Sequence, residues 1–162
     1  MKIIYLDIDG VLNSELWSHK RIENAKLNVD NHEYDSIDPK SVEFLNAIIK
    51  DTEAKVVISS TWRIGRAIEE LQAILDSRGF IGEVIGKTPS IRNGCLRGNE
   101  IREWQKINAK IIGEEDVNKY VILDDDSDML YWQRNNMIIV DAYCGITPKI
   151  VWKAIKILNG KI

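Results

Sequence analysis

Five short apolar runs alternate with amphipathic segments along this chain, and that alternation restricts the folds it can adopt. The runs cover residues 2–6, 55–58, 83–85, 120–123 and 137–140, and their length and apolar character predict buried strands. Strands that alternate with helices form a mostly parallel sheet with helices on both faces. We therefore predict a single α/β domain over residues 1–162, with a mostly parallel five-stranded sheet in three αβα layers.

Helices are predicted between these strands from capping residues and apolar spacing. Asp38-Pro39 and Thr147-Pro148 each supply an N-cap followed by proline at the first helical position. A helix that includes Ile64 is expected to stop at Gly79. Another over 98–112 is expected to face the core through five side chains: Ile101, Trp104, Ile107, Ile111 and Ile112.

The composition narrows the class of protein. The 162 residues include 22 Lys and Arg and 25 Asp and Glu, and the net charge of −3 argues against a general polyanion binder. No apolar run is long enough to span a bilayer, and two cysteines are too few for a disulfide framework. Acidic residues begin at position 7, too early for the apolar stretch of a signal peptide, so we expect a cytoplasmic protein.

Acidic residues follow the first predicted strand directly. In a doubly wound sheet ligands bind at the carboxyl ends of the strands, so the residues just after each strand are the candidate functional ones. Asp7 and Asp9 stand two positions apart before Gly10, and a cation would relieve the repulsion between their carboxylates. A solvated acidic turn is the alternative.

A second acidic group ends the fourth predicted strand, at positions 124, 125, 126 and 128. Because this strand is expected to neighbour the first, its carboxylates would join Asp7 and Asp9. Oxygen ligands without paired histidine or cysteine favour Mg²⁺ over zinc. A solvated acidic loop is the alternative.

Hydroxyl and basic residues follow the second strand and precede a later helix. Ser59, Ser60 and nearby amides form a candidate anion site to which Arg63 could add a phosphate contact, although helix capping also explains such residues. Arg97 stands at a predicted helix start, where a cation is unfavourable unless an anion binds beside it. A solvated arginine is the alternative.

Together, four segments resemble the motifs of the haloacid dehalogenase (HAD) superfamily of aspartate-nucleophile phosphotransferases. They are DIDGVLN at 7–13, VVISSTWR at 56–63, RGNEIREW at 97–104 and VILDDDSDM at 121–129. Within that superfamily, the sequences of these segments are similar to the HAD domain of bacterial and phage Swiss Army Knife RNA repair proteins. The resemblance implies a Rossmann-like HAD fold.

The resemblance also implies roles for the acidic residues. Asp7 would attack phosphorus and form an aspartyl-phosphate, while Asp9 would protonate the leaving oxygen and then activate water. Mg²⁺ would be held by Asp7, the backbone carbonyl of Asp9 and one of Asp124 and Asp125. The family pattern favours Asp125 as the direct ligand.

Hydroxyl and basic side chains would complete such a site. Ser59, with Ser60 as a further candidate, would hydrogen-bond the transferring phosphoryl group. Arg97 would balance the charge of that group and of Asp7, although Lys87 is a rival because the family position is more often lysine. Arg63 would either contact the substrate or pair with an acid.

The predicted function is that of a Mg²⁺-dependent phosphomonoesterase acting on nucleic-acid 3′ ends or nucleotides. Only residues 13–37 leave room for a small cap or lid, and an open site suits a phosphate on a large molecule. One alternative is a receiver-like phospho-acceptor. Such a domain normally carries an aspartate after its middle strand, and here no acidic residue follows Ile85-Gly86. The other is a nucleic-acid-binding domain with a degenerate site. No membrane partner is expected, and the sequence leaves the oligomeric state open.

Overall fold

A parallel β-sheet forms the centre of the computed structural model, which describes residues 1–25, 36–91, 95–113, 116 and 118–161. Its five strands are β1 (Ile3–Leu6), β2 (Lys55–Ile58), β3 (Val84–Lys87), β4 (Tyr120–Asp124) and β5 (Met137–Ile139). They lie in the order β3-β2-β1-β4-β5, and every neighbouring pair is parallel. The α/β prediction is confirmed, with a sheet that is parallel throughout.

Helices connect these strands along the chain. They are α1 (Glu15–Ala25), α2 (Pro39–Thr52), α3 (Ile68–Asp76), α4 (Arg97–Ile107), α5 (Ala109–Ile112) and α6 (Pro148–Leu158). Two 3₁₀ turns, Thr61–Arg63 and Tyr131–Asn136, follow β2 and precede β5. Helix α2 begins as predicted, because the Asp38 side chain accepts a hydrogen bond from the Lys40 amide and Pro39 occupies the first turn.

The helices cover the two faces of the sheet and form a separate apolar core on each. Alternate residues of a strand point to opposite faces. Ile4 and Leu6 of β1 pack with α2, α3 and α6, whereas Ile3 and Tyr5 pack with α4 and α5. This alternation produces the three αβα layers.

Two local predictions on one side of the sheet are wrong. Helix α3 begins at Ile68 rather than before Ile64, because the chain first makes a 3₁₀ turn and then passes through Gly65 at a φ of +75°. The third strand starts and ends later than predicted and includes Gly86. A Cβ there would lie 2.8 Å from the Trp104 indole nitrogen, so the glycine lets α4 pack close to the sheet.

The predicted helix over 98–112 is divided in two. Helix α4 ends at Ile107, and both the amide and the side chain of Asn108 donate to the Trp104 carbonyl. Ile101, Trp104 and Ile112 are buried as predicted, but Ile107 and Ile111 are 69% and 64% exposed. The inward orientation predicted for those two isoleucines is wrong, because a single helical period does not continue through Asn108.

The candidate lid at 13–37 lies partly outside the described residues, which omit 26–35. Its first part forms α1, whose first amides donate to the carbonyls of Ala142 and Tyr143. None of the helices in the described ranges has the length and apolar character needed to cross a membrane.

Candidate active site

The register of the three central strands brings Asp7, Ser59 and Asp124 side by side. Leu6 pairs with Ile58 on one side and with Leu123 on the other, so the next residue of each strand lies at the same level. The backbone bonds continue there, since the Asp7 amide donates to the Leu123 carbonyl and the Ser59 amide to the Leu6 carbonyl. The candidate acidic and hydroxyl groups therefore meet at the carboxyl edge of the sheet.

Three carboxylates form a cluster at this edge. Asp7, Asp124 and Asp125 each offer an oxygen, and these oxygens lie within 4.8 Å of one another. Asp7 and Asp124 are buried, whereas Asp125 is exposed. Burial and the neighbouring Asp7 raise the pKa of Asp124 to about 7. Burial also raises the pKa of Asp7, against the opposing effects of Arg97 and the Ser60 hydroxyl.

Gly10 allows the turn after β1 to lie against Asp125. Its φ is +70°, a conformation that glycine adopts without steric cost. A Cβ at this position would collide with the Asp125 carboxylate. The glycine of the DIDG segment thus permits the close approach of the two acidic loops.

The Asp9 carboxylate is exposed and held by two side chains. The Asn13 amide nitrogen donates to Asp9 Oδ1 at 2.7 Å, and the Trp62 indole nitrogen lies 3.1 Å from both carboxylate oxygens. Asn13 also accepts a hydrogen bond from the Gly10 amide at 2.9 Å. The DIDG turn and the turn after β2 are therefore linked through Asp9.

Ser59 and Ser60 are both fully buried but differ in their partners. The Ser60 hydroxyl accepts a hydrogen bond from the Trp62 amide, as a capping residue does. Its interaction with the Asp7 carboxylate also lowers the pKa of Asp7, against the effect of burial. The Ser59 hydroxyl has no hydrogen-bond partner among the described residues. Since buried polar groups are normally paired, Ser59 Oγ is available to a ligand.

Arg97 is a basic side chain that reaches the acidic cluster. It begins α4, and its guanidinium nitrogen Nη1 lies 3.8 Å from Asp7 Oδ1. This nitrogen is buried and makes no hydrogen bond within the described residues. The Asp128 carboxylate accepts a hydrogen bond from the Arg97 amide at 2.9 Å. The acidic loop after β4, residues 125–128, therefore helps to fix the start of α4.

Arg63 lies in a different environment, where its guanidinium donates hydrogen bonds to buried groups of the protein itself. Four of them go to the carbonyls of Ser59, Ser60, Thr88 and Pro89, and Nη2 also donates to buried Glu100 at 2.6 Å. These five contacts equal the number of N–H donors on a guanidinium group. Of the two roles considered for Arg63, the structure contains the pairing with an acid.

Lys87 makes its hydrogen bonds with backbone carbonyls. Its ammonium group donates to the carbonyls of Arg63 and Arg66, in the segment that joins the 3₁₀ turn to α3. Lys87 therefore braces that segment, whereas Arg97 contacts Asp7.

Three groups at the site were not identified from the sequence. Trp62 and Asn13 hold Asp9, and Gln133 is fully buried between the acidic loop and α4, donating to the Gly98 carbonyl at 2.9 Å. The available signal for Trp62 was its place in the segment after β2, two residues beyond the buried Ser60. Nothing in the spacing of Gln133 pointed to its contact with α4.

The parallel five-stranded α/β fold is consistent with a HAD domain. Comparison with protein families matches residues 3–151 to the family described as "HAD domain in Swiss Army Knife RNA repair proteins". The chain belongs to this family, as its four motifs predicted. Comparisons with curated proteins and with solved structures gave no match.

Proposed function

We propose that this protein is a Mg²⁺-dependent phosphomonoesterase that acts through an aspartyl-phosphate on Asp7. The carrying observation is the cluster of Asp7, Asp124 and Asp125 beside Arg97, with the unpaired Ser59 hydroxyl at the same edge of the sheet. Membership in the HAD family supports the reaction class.

The donor set fits a hard divalent cation. Only carboxylate oxygens converge in the cluster, and Asp124 Oδ2 is buried without a partner among the described residues. Asp7, the backbone carbonyl of Asp9 and either Asp124 or Asp125 would hold Mg²⁺. When bound, the cation would offset the negative charge of the carboxylates and of the phosphate.

The chain's own residues account for both halves of the reaction. A carboxylate oxygen of Asp7 attacks phosphorus as the bond to the leaving oxygen breaks, and Asp9 gives that oxygen its proton. Asp9 then takes a proton from water, whose oxygen attacks phosphorus and releases inorganic phosphate from Asp7. Ser59 Oγ and the Arg97 guanidinium bind the phosphoryl oxygens throughout.

For the substrate, we propose a phosphate at a nucleic-acid 3′ end or on a nucleotide. The support is the family's description as domains of RNA repair proteins. A receiver-like phospho-acceptor is disfavoured by the strand order 3-2-1-4-5, because flavodoxin-like domains of that kind have the order 2-1-3-4-5.

The test is a phosphatase screen with and without Mg²⁺. Aryl phosphates, nucleotides and oligonucleotides phosphorylated at the 3′ or 5′ end are compared for the natural protein and Asp7→Asn. We expect Mg²⁺-dependent phosphate release that Asp7→Asn abolishes. Equal inactivity of both proteins on every substrate would overturn the proposal, and salt-sensitive oligonucleotide binding without turnover would favour a degenerate binding domain.

A further inference from the structure

The indole nitrogen of Trp62 contacts the candidate site. Its indole N–H lies 3.1 Å from each oxygen of Asp9. We propose that Trp62 is a positioning residue that orients the Asp9 carboxyl group for proton transfer to the leaving oxygen. This inference rests on the proposed phosphatase function and adds a residue to its acid–base step.

The Asp9 side chain would otherwise be free to rotate. It is exposed, and it follows β1 in a turn rather than in the strand itself. Its two polar side-chain contacts within the described residues are with Trp62 and Asn13. Proton transfer requires a hydrogen-bond distance and direction to the reacting oxygen, so a freely rotating carboxyl group would be a poor acid.

Trp62 itself is held rigidly. Its ring packs against the larger apolar core, and the Arg66 guanidinium lies over the ring at 5.7 Å and donates to the Trp62 carbonyl at 3.0 Å. The next residue, Arg63, fastens the 3₁₀ turn to buried carbonyls and to Glu100. The indole N–H is therefore a fixed reference point for Asp9.

The two contacts also distinguish the oxygens of Asp9. Among the residues that the structure describes, Oδ1 accepts from both Asn13 and Trp62, whereas Oδ2 shares only the Trp62 N–H. An oxygen with two donors pointing at it is a poor place for a further proton. The arrangement assigns the transferred proton to Oδ2.

The leaving group supplies the decisive measurement. An alkyl oxygen, such as the 3′ oxygen of a nucleotide, needs a proton to depart, whereas dinitrophenolate departs without one. Trp62→Phe keeps the ring and removes the N–H donor. Because Asp9 also activates water in the second half of the reaction, the rate compared is the single-turnover release of the leaving group, which precedes that step. We expect this rate for a nucleoside 3′-phosphate to fall by about tenfold, the value of one oriented hydrogen bond, with little change for dinitrophenyl phosphate.

Two controls separate positioning from a general structural effect. Trp152→Phe makes the same chemical change at a 59% exposed tryptophan on α6 and should alter neither rate. In an Asp9→Asn background, which lacks the acid, Trp62→Phe should cause no further loss with either substrate. Asn13→Ala removes the other donor to Asp9 without adding a charge, and it should reproduce the leaving-group effect if Trp62→Phe folds poorly.

Each result bears on the inference. Equal losses with both substrates, or additive losses in the Asp9→Asn background, would show a structural role and overturn it. An unchanged Trp62→Phe enzyme would overturn it while leaving the proposed phosphatase intact. A natural protein that releases no phosphate from any substrate would overturn the proposed function and this inference together.

Discussion

Arg63 and Arg97 both interact electrostatically with Asp7, yet their surroundings are opposite. Arg63 is 5% exposed, and its guanidinium makes five hydrogen bonds within the protein. The Arg97 side chain is 17% exposed, and its Nη1 faces Asp7 at 3.8 Å with no hydrogen bond in the described part of the chain. One arginine completes the fold, and the other is available to a ligand.

The same contrast applies to the acids near them. Glu100 accepts from Arg63 and, at 3.0 Å, from the Ile91 amide, so both of its oxygens are used. Asp124 uses one oxygen for the Asp126 amide, and its other oxygen has no partner in the described part of the chain. A buried group with an unused hydrogen-bonding atom costs stability unless something binds it. The first pair has its hydrogen bonds satisfied within the protein, whereas each member of the second keeps an atom that a ligand could use.

The largest expected effect is on stability, and it follows from breaking the buried ion pair between Arg63 and Glu100. Arg63→Met leaves Glu100 as a buried carboxylate without its cation, which should lower the free energy of unfolding by about 3–5 kcal/mol. Urea denaturation followed by circular dichroism measures the change. Since a domain of this size has only about 5–15 kcal/mol to lose, partial unfolding is expected at 37 °C.

A double variant sharpens this prediction. Arg63→Met with Glu100→Met removes both charges and should recover part of the lost stability, because no buried charge remains. If Arg63→Met instead folded as stably as the natural protein and raised only KM, Arg63 would be a substrate contact and the contrast with Arg97 would fail.

The second effect concerns Arg97, whose loss should be functional. Arg97→Met removes a charge facing Asp7 and the phosphate, so kcat/KM should fall by about 10²–10³-fold with little change in stability. Arg97→Lys should retain more activity, because it preserves the charge. Phosphate release under saturating Mg²⁺ measures both.

Arg102→Met is the matched control for Arg97. Arg102 lies on the exposed side of the same helix, where it stacks on Trp132 at 5.6 Å. Its substitution should leave the rate within about twofold, as for surface changes away from a site. Equal losses for the two arginines would mean that α4 contributes only general positive charge.

The sequence was sufficient to predict that the candidate residues meet at one edge of the sheet. Asp7 and Ser59 follow buried apolar strands and Asp124 is the last residue of one, and parallel strands must place such residues together. The order of the motifs was likewise sufficient to predict the family.

The different environments of Arg63 and Arg97 could not be predicted in the same way. Arg63 reaches Glu100 across 37 positions, and this contact depends on the 3₁₀ turn that the helical pattern around Ile64 concealed. Trp62 reaches Asp9 across 53 positions through the same turn. Hydrophobic periodicity predicts one helix or strand at a time. It therefore cannot predict long-range contacts that depend on the conformation of a turn.

The smallest effect is expected at Asp124, and its sign is opposite to that at Arg63. Asp124→Asn keeps an acceptor for the Asp126 amide, removes a buried charge beside Asp7, and should stabilise the metal-free protein by about 1–2 kcal/mol. The pKa of Asp124 is about 7 in the fold against 3.8 as the ordinary value, so its charge is disfavoured by folding. The gain should therefore be absent below about pH 4 and grow as the pH rises to 7.

Mg²⁺ turns this stability measurement into a test of the site. If Asp124 helps to hold the cation, Mg²⁺ should raise the Tm of the natural protein at pH 7.5 and raise that of Asp124→Asn much less. Asp126→Asn, an exposed change in the same loop, should keep the full Mg²⁺ response. A natural protein whose Tm ignored Mg²⁺, or an Asp124→Asn protein less stable than it without metal, would contradict the view that unsatisfied groups at this edge await a ligand.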